Sequence, residues 1–84
     1  MFNADDVHGH VFSVDSIVRL QHPTPLWRVL ATDMNAYSCN SKTMIQTLEH
    51  AKTDRRKVKA GIARDPDKRD WIVSLAVTDE VADE

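Results

Sequence analysis

The residues able to do chemistry fall in three places along this 84-residue chain. The first is Asp5-Asp6-Val7-His8-Gly9-His10. Alternate residues of an extended chain point to one side, so His8 and His10 could offer two imidazoles to a single ion. A third ligand would have to come from Asp5 or Asp6 on a polar segment with nothing to fix its geometry. Residues 1–10 are therefore read as a flexible arm, and no metal is assigned.

The second place is Cys39, the only cysteine. Nucleophilic catalysis needs a base and an oxyanion site held beside the nucleophile. His22 and His50 are the bases on offer, and no local motif ties either to Cys39. One cysteine also excludes an intrachain disulfide and a thiolate zinc site, so Cys39 is expected to be a small packed thiol. Gly9 and Gly61 are the only glycines and stand alone, so no phosphate-cradling loop is present. No catalytic residue and no cofactor is assigned, and the expectation is that the protein is not an enzyme.

The third place carries the strongest signal. Between Lys52 and Arg69 lie eight of the eleven basic residues, against three aspartates, in a chain whose net charge is −2. Such a cluster can neutralise phosphates and release counterions. The interspersed aspartates weaken its field, and no aromatic residue lies among the cations. Dedicated nucleic-acid domains are usually more basic overall. The acidic remainder makes the chain a dipole suited to steering a charged protein partner. Arg55, Arg56, Lys57, Lys59 and Arg64, with Trp27 as an aromatic anchor, are the candidate binding residues.

These residues need elements to position them. The length supports one domain, 1–84, and the 42% apolar and 29% charged composition is that of a globular chain. Ile17–Gln21 reads as a strand after a turn at Asp15-Ser16, and Pro23 and Pro25 interrupt it. Leu26–Thr32 forms a second strand with Trp27, Val29 and Ala31 on one face. Asp33-Met34-Asn35 turns the chain into a third strand at 36–39.

The period then changes. Ile45, Leu48 and Ala51 recur at helical spacing behind a Thr43/Gln46 capping box, predicting a helix over about 43–55. Val58 and Ile62 could extend it, with Gly61 as its cap. The alternation of Val58, Ala60 and Ile62 instead favours a strand at 57–63, which pairs with 71–77 through the turn Asp65-Pro66-Asp67. Trp71, Val73, Leu75 and Val77 share one face of the last strand and are expected to be buried together. The acidic tail 79–84 is expected to fray.

Residues 14–39 resemble the opening of small SH3-like β-barrels, and are similar to an uncharacterised family of short bacterial proteins that begin with such a barrel. The resemblance rests on an apolar strand ending in Arg19-Leu20, the Pro23/Pro25 loop, the Trp27-Arg28-Val29 strand and the Tyr37-x-Cys39 strand. It implies a small antiparallel sheet curled into a partly open barrel, and only a binding face by way of function.

The fold class expected is α+β, with one helix on that sheet. The function expected is a non-enzymatic binding or regulatory protein that works through protein–protein contacts. An accessory modulator, or a phage-type inhibitor of a larger host complex, would fit. The alternative is a nucleic-acid-associated regulator using the basic segment on phosphates. With no apolar run of membrane length and no secretory leader, the cytoplasm is the expected location.

Overall fold

The computed structural model describes residues 7–21 and 23–82. Its elements run β1 (His8–Phe12), β2 (Val14–Arg19), β3 (Trp27–Ala31), β4 (Ala36–Cys39), α1 (Lys42–Thr53), β5 (Arg56–Arg64) and β6 (Asp70–Val81). Six strands form one sheet in the order β1-β5-β6-β4-β3-β2. All pairs are antiparallel except β4–β6, which is parallel and touches through a single bridge, Ser38 with Trp71. The protein is thus a mixed α+β fold, mostly sheet.

β1 and β2 occupy opposite edges of the sheet, yet only Ser13 separates them in the chain. Two peptide steps span at most ~7–8 Å, so the sheet must curl until its edges meet at this corner. The curl shows inside. Phe12 of β1 stacks on Tyr37 of β4 with ring centroids 4.8 Å apart, although two strands lie between them in the ladder. β1 and β2 do not pair with each other, so the ladder is curled but not closed.

The interior is lined by Phe12, Val14, Val29, Ala31, Tyr37, Cys39, Val58, Ala60, Ile62 and Ile72, and α1 closes it with Ile45, Leu48 and Ala51. These helical residues are the ones the sequence places at helical spacing. The helix starts earlier than 43, because the Ser41 side chain, not Thr43, accepts the capping bond from the Met44 N–H at 3.4 Å. It ends at Thr53 with Arg55 in the left-handed region at φ 56°, so Gly61 plays no capping role.

Several expectations need correction. Residues 8–10 are not an arm: they pair with Ile62, Gly61 and Ala60 as an edge strand. Residues 1–6 lie outside the described residues. The expected turn at Asp15-Ser16 is a bulge inside β2, where the register slips between Val14 and Ser16. The tail is strand as far as Val81, which pairs with Arg56, and Ala82 donates its N–H to the Arg55 carbonyl at 2.8 Å. Residues 83–84 lie outside the described residues.

The largest correction falls on β6. Leu75 and Val77 stand opposite Ala60 and Val58, but the register slips so that Ser74 pairs with Gly61 and Ile72 with Ile62. Val73 is left without a partner, and the inward face passes from odd to even residues. Ile72 is therefore the buried residue, Val77 is 46% exposed, and Trp71 lies half-buried on the outer face. One extra residue reverses a strand's facing.

Leu48 is fully enclosed. Leu48→Ala is expected to cost ~2–5 kcal/mol in chemical denaturation, against less than ~1 kcal/mol for Val77→Ala. Equal losses would show the β6 facing to be misassigned.

Candidate functional site

The basic segment does not form one surface, because a strand sends alternate side chains to opposite sides. Lys57 and Lys59 stand on the outer face of β5, about 7 Å apart by strand geometry. Arg56 sits on the other side, at the start of the strand, and its Nη1 donates to the Asp79 carbonyl at 2.7 Å. Arg55 occupies the left-handed position between α1 and β5, also beside the acidic tail. The densest run of positive charge thus lies next to the end of β6, where the Asp79 carbonyl takes the Arg56 guanidinium.

Arg64 is at the far end of β5, paired with Asp70 at 3.0 Å. That bond and the Asp70 charge hold its guanidinium above its ordinary pKa. Trp27 is not near these cations. It belongs to β3, three strands from β5, packs against the core, and carries the Arg19 guanidinium 5.9 Å from its ring centroid.

The outer face of β1, β5 and β6 follows from the pairing register. Val11, Lys59 and Ala76 form one cross-strand row; Gly9, Gly61 and Ser74 form the next. A side chain at Gly61 would run into the Ser74 hydroxyl, which accepts the Gly61 N–H at 3.1 Å. The centre of the face is therefore low and flat. At one end Trp71 lies across from Ala63, which is wholly buried although it points outwards. At the other, Val11 is 45% exposed beside Lys59.

Trp71 is held by the β5–β6 loop. Its Nε1 donates to Asp65 Oδ2 at 2.7 Å, while Asp65 Oδ1 accepts the Arg69 N–H at 2.9 Å. These bonds, that from Trp71 first, keep the Asp65 carboxyl below its usual pKa. The loop is closed by Lys68 N–H to the Asp65 carbonyl and Asp65 N–H to the Arg69 carbonyl, with Lys68 at φ 65°. The β3–β4 loop repeats this pattern: Met34 N–H bonds the Ala31 carbonyl, Ala31 N–H bonds the Asn35 carbonyl, and Met34 has φ 74°.

A groove of about 560 Å³ lies between the β5–β6 loop and the β2–β3 loop. Arg28, Ala36 and Ser38 of β3 and β4 form its floor. Leu20 and Leu26 wall one side, and Lys68, Arg69 and Asp70 the other. The single β4–β6 bridge lets the strands splay here. Sequence reasoning missed this groove, because Arg28 lies some forty positions from Lys68 and only the fold brings them together.

The remaining candidates are placed as follows. His10 Nε2 lies 3.5 Å from Asp33 Oδ2, with its ring 6.2 Å from both Phe12 and Tyr37. The Asp33 carboxyl is held low chiefly by the Asn35 N–H, with a smaller contribution from His10. Asp5, Asp6 and His22 lie outside the described residues. Cys39 is wholly buried, with its Sγ 3.7 Å from the Ser41 carbonyl, and burial pushes the thiol pKa up. No family model, curated protein or solved structure matches the chain.

Two measurements follow from these environments. Cys39 should react slowly with alkylating reagents in the native protein and quickly once unfolded; fast native modification would contradict its burial. Tyr37 is the only tyrosine, and burial, aided by Asp33 and Asp70, raises its pKa to about 12. The folded phenol keeps its proton to higher pH than the unfolded one. Its contribution to stability is therefore complete below about pH 10 and is lost as pH rises towards about 12. Ultraviolet titration should show a midpoint well above that of the denatured chain, and equal midpoints would contradict the buried ring.

Proposed function

We propose that this protein is a non-enzymatic binding or regulatory module that engages a protein partner through the outer face of β1, β5 and β6. The observation that carries this reading is the mixed character of that face. Exposed Val7 and Val11 and the small residues Gly9, Ser74 and Ala76 lie beside Lys57 and Lys59. Such a face offers a flat centre of small residues that a partner can cover, exposed valines along β1 to desolvate, and cations beside them to steer approach and fix register. Its backbone is held by ladders on both sides of β5, so little ordering cost accompanies contact. A role as an accessory factor, or as a phage-type inhibitor acting on a larger host complex, fits a chain of this size.

Phosphate binding is the second reading, favoured by one observation. Trp71 stands on the same face as Lys59, so a stacking ring and two cations share one surface.

Affinity capture from the native host, with and without nuclease, separates the two. A partner that survives nuclease and is lost with Lys57→Glu/Lys59→Glu or Val11→Thr is the expected result. Folding should shift by no more than ~0.5 kcal/mol in the charge-reversal variant. Submicromolar binding of nucleic acid, weakening with salt by about 0.9 log units per log unit for each duplex phosphate neutralised, would overturn the protein-partner reading.

A further inference from the structure

The groove between the β2–β3 and β5–β6 loops has a chemistry of its own. Arg28, Lys68 and Arg69 line it, all three exposed, and among the described residues none of these side chains is held in an ion pair. Of the carboxylates nearby, Asp70 lines the groove beside these cations and Asp65 feels the charge of Arg69. Asp70 is bonded by Arg64 Nε, and Asp65 by Trp71 Nε1 and the Arg69 N–H. Asp67 lies at the loop tip, outside the groove lining. Three cations, with the Arg64-bonded Asp70 beside them, therefore face a cavity whose other wall is Leu20 and Leu26.

Lys68 adds a separate argument. It holds a left-handed backbone that glycine adopts at lower cost. Retaining a long cationic side chain there puts charge at the groove's edge at the expense of the loop. Strain of this kind concentrates at functional positions.

We infer that this groove is the docking site for an acidic segment of the partner, one with carboxylates flanking an aliphatic side chain. The carboxylates meet Arg28, Lys68 and Arg69, and guanidinium groups suit carboxylates through paired N–H donors. The aliphatic side chain lies against Leu20 and Leu26. A nucleic-acid strand fits less well, because among the described residues no aromatic ring lines the groove to stack a base. This inference rests on the protein-binding reading and adds the chemistry of the partner to it.

The probe is a fluorescein-labelled peptide of glutamates interrupted by leucines. Its controls are the same peptide with lysines for glutamates, and oligothymidylate. Anisotropy gives affinity, and backbone amide shifts give the location. The acidic peptide should bind at low salt and move the amides of Arg28, Ala36, Ser38 and residues 65–70. The lysine peptide should not bind.

Arg28→Gln/Lys68→Gly should weaken binding about five- to tenfold. Glycine relieves the left-handed strain at 68, so lost binding cannot be ascribed to a loop that fails to form. Shifts that map elsewhere, an unchanged affinity in the double variant, or oligothymidylate occupying the groove would each overturn the inference. A nuclease-resistant host partner that binds the double variant as tightly as the parent would sink the groove and leave the protein-binding reading standing. Capture of nucleic acid alone would sink that reading itself.

Discussion

Everything in this fold depends on the corner at Ser13. One buried residue joins strands that belong to opposite edges of a six-stranded sheet. A flat sheet cannot satisfy that connection, so the sheet curls and gains an inside. The corner is held in place by the Thr32 N–H, which donates to the Ser13 carbonyl at 3.0 Å and ties it to the end of β3. Phe12 and Val14 flank the corner, and both point into the core. The stacking of Phe12 on Tyr37, and the approach of His10 to Asp33, are consequences of this single geometric demand.

Curling leaves an opening that small aliphatic residues alone would not seal. The helix fills it with Ile45, Leu48 and Ala51, packing mainly on β5 and β2. A chain of this size has little apolar area to spare, so α1 must serve as a wall of the core. The residues that do not face inwards are then displayed on two outer surfaces. One is the flat β1–β5–β6 face, and the other is the grooved face between the two loops.

The backbone conformations show where the chain accepts strain. Its two glycines lie in strands, where Gly61 makes room for Ser74. Among the described residues the non-glycine left-handed positions are Met34, Arg55 and Lys68, all with long side chains. Met34 is 93% exposed, so no core contact repays its conformation. Both hairpin loops use the same hydrogen-bonded pattern, which sets the left-handed residue at the equivalent place in each. Electrostatics follow the same division: Arg56 is tied to the Asp79 carbonyl of the tail, whereas Arg28, Lys68 and Arg69 gather around the groove with Asp70.

Local pattern determined a good deal of this. The β2–β3–β4 meander, the buried faces of β3 and α1, the choice of strand over helix for 57–63 and its hairpin partner were all legible. Each is decided by spacing within a few residues and by turn chemistry at Asp33, Pro66 and Asp67. Non-local pairing decided the rest. His8–Phe12 has no strand signature that survives its exposed, polar composition, and it becomes a strand because β5 offers a free edge. The unpaired Val73 turned the inward side of β6 to even residues, which alternation alone cannot reveal because a bulge is defined by its partner. The groove joins Arg28 to Lys68 and Arg69, and the basic run was divided between two sides of β5. Sequence determines which residues carry charge and how they alternate. Only the curled sheet determines which of them share a surface, because side-chain direction is local while proximity is set by the closing of long loops.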